Sequence, residues 1–300
     1  MINIRKIKSL SLVIPCNNEQ DAIKISLKIY LNALKNLVVK NIISKYEVII
    51  VNNGSTDKTL EVLLKEKRNN SIKIIDLKKN YGYTSSYLAG MYYAKNEIII
   101  TVSADLHEDP DKIKDLILKH YISNKPVMAV YKKRHETFLK NFFSDQYYRF
   151  LNLIKIPIIK NHADFRLITN KINLNFFNSL PSFVFIRIRI LDFFDSYEIV
   201  YYFGNNRKIG RTKFNFISSA LLALDTILFY AKTLIKKSLL RMTLIFWLSS
   251  LILILLSFKT EIILLSVTIS LLFSLLNFFL IIRIRALELK RKHFEVNKII

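Results

Sequence analysis

The segment from Val51 to Asp57 reads VNNGSTD and concentrates residues that could bind a phosphate-containing ligand. It follows the apolar run Glu47–Val51, which predicts a buried strand, and Asn and Gly are typical of the turn after one. Ser55 or Thr56 could cap the helix that follows, and Asp57 suits its first turn. Ligands bind at the carboxyl ends of strands in open α/β sheets, and helix N-termini suit phosphates. The segment is therefore typical of a nucleotide-binding corner.

The chain around this corner alternates between apolar runs and helical patterns. The predicted strands are Leu10–Pro15, Glu47–Val51, Ile72–Leu77, Glu97–Val102 and Pro126–Tyr131. Helices are predicted from Glu19 to about Leu37, from Thr56 to about Lys67, from Ser85 to Ala94 and after Pro110. Because this alternation has the spacing of βαβ units, the sequence predicts an α/β fold with a mostly parallel sheet covered on both faces.

Two later segments carry helical patterns with a strong apolar component. From His135 to about Ile156, aromatic and aliphatic residues fall on broadly one side. That side could pack on the protein core, or it could lie on a membrane or line a lipid groove. From Phe214 to about Ile235, Leu, Ile and Phe are mixed with Ser, Asp and Lys, which predicts an interfacial helix.

The C-terminal third contains two uncharged apolar runs, Met242–Phe258 and Ile262–Ile282. As helices they would cover roughly 25 Å and a little over 30 Å, which suits a bilayer core of about 30 Å. Only Lys259, Thr260 and Glu261 separate them, so a helical hairpin is predicted. Basic residues precede and follow the hairpin, and the positive-inside rule then places both of its ends in the cytoplasm.

The composition narrows the classes of partner. The 300 residues carry a net charge of +23 and are 51% hydrophobic. The lysines are dispersed and do not form one basic face, so a nucleic-acid partner is not expected, whereas an anionic membrane surface is. Cys16 is the sole cysteine, which excludes an intramolecular disulfide.

Four motifs in order resemble family 2 glycosyltransferases with the GT-A fold. They are Val13-Ile14-Pro15-Cys16-Asn17-Asn18-Glu19, the Val51–Asp57 segment, Asn80-Tyr81-Gly82, and Ala104-Asp105-Leu106-His107-Glu108-Asp109-Pro110. Asp164-Phe165-Arg166-Leu167, the segment Arg207–Phe214 and the hairpin resemble the polyprenyl-phosphate glycosyltransferase branch. That branch includes dolichol-phosphate mannose synthases and bacterial O-antigen glucosylation enzymes. The resemblance covers about Leu10 to Arg285.

The resemblance implies a nucleotide-sugar donor and a divalent cation. The donor's diphosphate is the leaving group, and Mg²⁺ or Mn²⁺ held by Asp105 and His107 would neutralise its charge. The implied donor-binding residues are Pro15, Asn17, Glu19, Asn53, Ser55, Asp57, Asn80, Gly82, Ser103 and Ala104.

The resemblance also implies a lipid-phosphate acceptor, which is anionic at neutral pH and can attack the anomeric carbon without a protein base. Arg166 is assigned a catalytic role, and Arg134, Arg207 and Lys213 are the expected acceptor-phosphate ligands, because cations hold a phosphate in line. Asp164 could position the acceptor, serve as a base for a hydroxyl acceptor, or be only a buried partner of Arg166.

The chain departs from the family pattern at three places. Asn52-Asn53 stands where two Asp are usual, Ser103 replaces the first Asp of Asp-x-Asp, and His107 stands where Gln is common. Asn53 could still hydrogen-bond a base edge, and Ser103 could bond a metal-bound water. A catalytically inactive scaffold is therefore an alternative to an active enzyme.

Together these observations predict a membrane-anchored, inverting glycosyltransferase that uses a UDP- or GDP-sugar and a polyprenyl phosphate for envelope glycan synthesis. A lipid-linked glycan hydroxyl is the alternative acceptor. The expected location is the inner membrane, with the catalytic domain and both termini cytoplasmic, and the branch often forms homo-oligomers. The expected segments are a catalytic domain (1–213), an interfacial helix (214–237), a transmembrane hairpin (238–285) and a basic tail (286–300).

Overall fold

A computed structural model describes residues 8–67, 70–132, 138–170, 174–203, 216–256, 260–289 and 293–300. The chain divides into two compact units. The first comprises Met1–Leu180, Val184–Lys213 and Lys292–Ile300, and the second comprises Pro181–Phe183 and Phe214–Arg291.

An eight-stranded sheet forms the centre of the first unit. Its strands are β1 (Leu10–Cys16), β2 (Tyr46–Asn52), β3 (Ile72–Leu77), β4 (Ile98–Thr101), β5 (Val127–Tyr131), β6 (His162–Thr169), β7 (Glu198–Tyr202) and β8 (Val296–Ile299). Their order in the sheet is β7-β5-β6-β4-β1-β2-β3-β8. Strands β4, β1, β2 and β3 run parallel, as does the β5–β7 pair, whereas β6 and β8 are antiparallel to their neighbours. The predicted α/β fold with a mostly parallel sheet is confirmed.

The seven helices described in this unit pack around the sheet or lie on its surface. They are α1 (Ile23–Val39), α2 (Thr59–Glu66), α3 (Tyr83–Tyr92), α4 (Lys112–Ser123), α5 (Phe138–Leu153), α6 (Leu174–Asn178) and α7 (Ile186–Phe193). Leu12 and Ile14 of β1 join a buried cluster with α1, α2 and α4, while Val13 joins a second cluster with α3, α6 and α7. Alternate residues thus supply both cores, as expected for strands buried on both faces.

The five predicted strands correspond to β1 to β5 within two residues at each end. Strands β6, β7 and β8 and helices α6 and α7 were not predicted. The largest correction concerns the C-terminus. Residues 286–300 were expected to form only a basic tail, but Val296–Ile299 pairs with β3 and extends the sheet.

The structure of α5 fits the core-packing interpretation on one side only. Tyr148 and Leu151 are buried, which fits a helix packed on the protein core. Phe142, Phe143 and Leu153 are exposed by 50%, 57% and 79%. The helix therefore has one buried side and one apolar side that the described residues leave uncovered.

The described residues of the second unit form three helices, α8 (Phe216–Tyr230), α9 (Lys232–Leu256) and α10 (Thr260–Glu288). Within the described residues, one segment is long and apolar enough to cross a membrane, Leu264–Glu288 in α10. The apolar stretch described in α9, Arg241–Ile252, is shorter. One of the two expected spans is therefore present by length and composition.

Helices α9 and α10 pack antiparallel through a line of polar contacts. The Thr243–Asn277 hydrogen bond measures 2.6 Å, the Trp247–Ser274 bond 3.1 Å and the Ser250–Ser270 bond 2.5 Å. Small and polar residues at a helix–helix contact, with apolar residues facing outward, are typical of membrane helix pairs.

Candidate active site

The corner after β1 and β2 is held by side chains that bond to backbone groups. Asn17 Nδ2 donates to the carbonyl of Asn53 at 2.8 Å, and Asn18 Oδ1 accepts from the backbone N–H of Thr56 at 2.8 Å. Ser55 Oγ accepts from the N–H of Asn18 at 3.0 Å. These bonds join the loop after β1 to the loop after β2, so the predicted residues Asn17 and Ser55 lie together. Pro15 lies beside Val51 in the β1–β2 register.

The predicted helix cap differs from the observed one. Ser55 and Thr56 were expected to cap the following helix, but α2 begins at Thr59, and Asp57 Oδ1 accepts from its N–H at 2.9 Å. The N–H of Glu19 donates to Thr59 Oγ1 at 2.8 Å. Asp57 and Glu19 therefore meet at the start of α2, and the charge of Asp57 favours that helix N-terminus.

Asn53 holds the turn at Asn80–Gly82. Its Oδ1 accepts from the N–H of Tyr81 at 2.9 Å, and its Nδ2 donates to Asn80 Oδ1 at 3.0 Å. Asn80 Oδ1 also accepts from the N–H of Gly82 at 2.8 Å. The predicted residues Asn53, Asn80 and Gly82 are therefore brought together. Both amide atoms of Asn53 bond within the chain, and contact with a nucleotide base stays a prediction.

Gly54 allows the loop after β2 to lie close to the loop after β3. Its φ is +60°, and a Cβ atom built there would lie 2.3 Å from the carbonyl carbon of Lys79. Since the obstacle is backbone, a larger residue would have to displace the loop.

Asn52 precedes Asn53 and also departs from the family pattern, but its side chain takes no part in the contacts of Asn53. Its Nδ2 donates to Asp76 Oδ1 at 2.7 Å, and both side chains are buried. Asn52 and Asp76 are register partners at the ends of β2 and β3.

Three polar residues form a compact cluster after β4. Ser103 Oγ lies 2.6 Å from Asp105 Oδ1 and also hydrogen-bonds Glu108 Oε2, which accepts from the N–H of Ser103 at 2.9 Å. Asp105 and Glu108 are 7% and 3% exposed. A hydroxyl carries one proton, so it cannot donate to both carboxylates at once. Burial raises the pKa of Glu108 despite the hydrogen bonds from Ser103, which lower it.

The loop that carries Asp105 has an unusual backbone. Leu106 is buried and has a φ of +57°, a conformation that bulky residues rarely adopt. Such positions cluster at functional sites, where the surrounding structure holds the strain. His107 follows, exposed, with its ring 5.4 Å from the Tyr131 ring. Ala104 is buried just before Asp105.

Asp164 is clamped by two arginines. Its Oδ1 accepts from Arg166 Nη2 at 2.5 Å and from Arg187 Nε at 3.1 Å, and its Oδ2 accepts from Arg187 Nη2 at 2.5 Å. Arg166 is 1% exposed, and among the described residues its Nε and Nη1 have no hydrogen-bond partner. The register pairs Arg166 with Thr101, four residues before Asp105.

The charges of this cluster are strongly coupled. Burial alone raises the pKa of Asp164, but Arg187 and Arg166 outweigh it and hold the pKa of that carboxyl below its usual range. Burial lowers the pKa of Arg166, whereas Asp164 raises the pKa of Arg187 despite its burial. Two guanidinium groups around one carboxylate leave a net positive charge, which favours a bound anion.

Sequence reasoning missed Arg187 and Glu108. Glu108 lay inside a quoted motif, and its burial was the missing information. Arg187 stands in an Ile-Arg-Ile-Arg run that gave no distinct signal. The expected phosphate ligands Arg134, Arg207 and Lys213 lie outside the described residues.

Asp105 and His107 could contribute to a cation site. In the described part of the chain, no group of three or more His, Cys, Asp or Glu residues could hold a metal ion. Mg²⁺ is usually bound by one or two carboxylates together with substrate phosphates. One carboxylate oriented by the Ser103 hydroxyl, with an imidazole two residues on, fits a site of that kind.

Two relatives illustrate the similarity to known proteins. The uncharacterized glycosyltransferase YkoT of Bacillus subtilis is 32% identical over 212 residues, which cover 68% of this chain and 62% of that protein. An undecaprenyl-phosphate 4-deoxy-4-formamido-L-arabinose transferase of Photorhabdus laumondii is 36% identical over 118 residues, covering 39% of this chain and 35% of that protein. The chain thus spans less than two thirds of the length of these curated relatives.

Solved structures share the fold, and the family assignment agrees with them. Mannosyl-3-phosphoglycerate synthase from Rubrobacter xylanophilus matches with a TM-score of 0.55 and 12% identity, covering 77% of this chain and 75% of that one. Glucosyl-3-phosphoglycerate synthase from Mycobacterium tuberculosis, solved with Mn²⁺ and UDP, matches with a TM-score of 0.50 and 15% identity, covering 74% and 79%. Residues 11–193 match the family described as Glycosyl transferase family 2, and the chain belongs to that family.

Proposed function

We propose that this chain is a membrane-anchored, inverting glycosyltransferase that moves a sugar from a UDP- or GDP-sugar to a polyprenyl phosphate. The observation that carries the proposal is the largely buried cluster of Asp164, Arg166 and Arg187. Its net positive charge suits an anionic acceptor. Its carboxylate has a lowered pKa and is already bonded to two arginines, so it is a poor general base.

The donor would occupy the corner built by the loops after β1, β2 and β3. Asn17, Asn53 and Asn80 hold these loops together, and Asp57 lies at the start of α2. The structural relative solved with UDP and Mn²⁺ supports a nucleotide diphosphate as part of the donor. Pro15, Glu19, Ser55, Gly82, Ser103 and Ala104 remain the other proposed donor-binding residues.

In this mechanism the residues hold the two substrates in line and no residue removes a proton. Asp105 and His107, with the donor diphosphate, would hold Mg²⁺ or Mn²⁺, which supplies positive charge to the leaving group. Ser103 orients the Asp105 carboxylate. Arg187, with 21% of its side chain exposed, is the member of its cluster that an acceptor phosphate could reach, and Arg166 supports it from the interior. Arg134, Arg207 and Lys213 are the remaining proposed phosphate ligands.

The membrane would bring the lipid acceptor to the enzyme. The apolar segment Leu264–Glu288 and the polar contacts between α9 and α10 support a two-helix hairpin. The relative from Photorhabdus laumondii, named for an undecaprenyl-phosphate acceptor, supports a polyprenyl lipid. We further propose a multi-pass inner-membrane location with both termini cytoplasmic, and assembly into homo-oligomers.

The transfer assay uses full-length protein in detergent with radiolabelled UDP- and GDP-sugars and undecaprenyl phosphate, with Mg²⁺ or Mn²⁺ and with or without EDTA. A labelled, chelator-sensitive lipid is the expected product. Undecaprenol and a lipid-linked glycan are supplied in parallel reactions, because label on a hydroxyl acceptor alone would overturn the phosphate assignment.

Asp105→Asn tests the metal assignment in the same assay, with Asp109→Asn as the matched control on the same loop. We expect Asp105→Asn to lose transfer and Asp109→Asn to keep it. Equal rates for wild type and Asp105→Asn would contradict the role given to Asp105. No product with any donor, from folded protein, would favour the inactive scaffold.

A further inference from the structure

The last strand of the chain is attached to the sheet by polar contacts as well as by apolar packing. The backbone of Ile300 exchanges two hydrogen bonds with Ile74, each 2.9 Å long, and Lys78 pairs with Glu295 at 3.0 Å. Three of the four residues of β8 are exposed. Val296 and the flanking residues Phe294 and Ile300 pack against the two buried clusters, so apolar packing also holds β8 in place.

Strand β8 contains a β-bulge at Asn297. The register pairs Asp76 with Lys298 and Leu77 with Val296, so β8 has one more residue than β3 between these two pairs. A bulge re-aims the side chain of its extra residue. Here Asn297 Nδ2 donates to Asp76 Oδ2 at 2.9 Å.

Asp76 connects Asn297 to the donor corner through a second hydrogen bond. It is 8% exposed, and its other oxygen accepts from Asn52 Nδ2 at 2.7 Å. Asn52 is the last residue of β2, and the next residue, Asn53, fixes the turn at Asn80–Gly82. A continuous path of hydrogen bonds and one peptide bond thus joins the C-terminal strand to that turn.

We propose that Asn297 and Asp76 are positioning residues for the donor site, so that the C-terminal strand sets the geometry of the loops after β2 and β3. The inference rests on the proposed function in one respect, namely that these loops bind the nucleotide of the donor. The proposal assigns neither residue a contact with the donor itself. Their loss should therefore weaken nucleotide binding without slowing the chemical step.

The test compares Asn297→Ala and Asn297→Asp with Lys298→Ala, all in the full-length protein. Lys298 is the matched control, because it is exposed on the same strand and one residue away. Asn297→Asp keeps the shape of the side chain but turns a carboxylate toward Asp76. If Asn297 only fills space, Asn297→Asp should behave like wild type. If Asn297 positions Asp76, Asn297→Asp should have a larger effect than Asn297→Ala, because two carboxylates repel each other.

Hydrogen exchange of a peptide covering residues 79–83 is the first readout. The N–H groups of Tyr81 and Gly82 are hydrogen-bonded to the side chains of Asn53 and Asn80. We expect faster exchange in both Asn297 variants than in wild type or Lys298→Ala. The exchange rate of a peptide over β5, Val127–Tyr131, should not change. This peptide is the control, because global destabilisation would speed its exchange as well.

Titration calorimetry with UDP and with GDP, each with Mn²⁺, is the second readout. We expect Asn297→Ala to raise the dissociation constant about tenfold, the change that follows loss of one hydrogen bond to a charged group. In the transfer assay, KM for the donor should rise by a similar factor while kcat is retained.

The two readouts distinguish failure of the positioning role from failure of the proposed function. Asn297 variants that match Lys298→Ala in both exchange and nucleotide affinity would overturn the positioning role. A wild-type protein that binds neither nucleotide would count against the proposed function, and the exchange experiment would still decide whether Asn297 positions the turn.

Discussion

Arg187 and Asp164 form a forked ion pair, with Nη2 2.5 Å from Oδ2 and Nε 3.1 Å from Oδ1. The planar guanidinium group matches both carboxylate oxygens, a geometry that an ammonium group cannot reproduce. Since Arg166 bonds the same carboxylate, the cluster fixes one buried and one partly exposed positive charge around Asp164. That arrangement agrees with the proposed phosphate acceptor, because it supplies cations for a phosphate and engages the carboxylate that a hydroxyl acceptor would need as a base.

Arg187→Lys should lower transfer to polyprenyl phosphate although the charge is retained. The lysine loses the forked contact, and hydrogen bonds to charged groups contribute about 1.5–3 kcal/mol, so we expect at least a tenfold loss in kcat/KM. Arg149→Lys, an exposed position on α5, is the control and should retain full activity. A rate for Arg187→Lys equal to that of the control would remove Arg187 from the acceptor site.

Gly54→Ala should disrupt the donor corner more severely than Gly82→Ala. Both glycines have positive φ, but a Cβ at Gly54 would meet the Lys79 backbone, whereas nothing lies within 4 Å of one at Gly82. Gly82→Ala should therefore cost only the backbone strain of a conformation that almost only glycine adopts, about 1–3 kcal/mol. Gly54→Ala should in addition abolish nucleotide binding in calorimetry. Comparable nucleotide affinities for the two variants would show that the loops do not need this close approach.

The sequence was most informative where local periodicity determines structure. The runs that became β1 to β5 are dense in Ile, Val and Leu, and helices separate them at βαβ spacing, so their existence and order could be predicted. Strand β6 carries Asp164 and Arg166 in its interior, which hides it from an apolar pattern. Helix α7 contains two arginines and was missed for the same reason.

The candidate site was harder to predict wherever it depends on contacts between distant residues. Asn297 lies 221 residues from Asp76, and β8 is four residues long and largely exposed. Asn53 could be placed in the donor corner from its motif. That its amide bonds the Asn80–Gly82 turn depends on the β2–β3 register, which local sequence does not specify.

Glu108→Gln should change the pH dependence of stability. Burial raises the folded-state pKa of Glu108, so the stability it contributes is complete below its unfolded pKa, about 4.3, and is lost as pH rises through the raised value. Gln imitates the protonated acid and does not titrate. The stability of wild type relative to Glu108→Gln should therefore decrease as pH rises above about 4.3 through the raised pKa, measured by thermal unfolding in detergent. A constant difference between the two proteins across this range would mean that Glu108 folds with an ordinary pKa.

Asn52→Asp should destabilise the protein, even though it restores the residue that the family usually has. The new carboxylate would face Asp76 at the 2.7 Å contact that the Asn52 amide now makes, and both positions are buried. Loss of the donor and repulsion between two acids should together cost at least about 2 kcal/mol. Adding Asp76→Asn returns one donor and one acceptor to the pair, so the double variant should recover most of the loss in denaturant unfolding. If Asn52→Asp alone is as stable as wild type, the pairing with Asp76 does not explain why this chain has asparagine there.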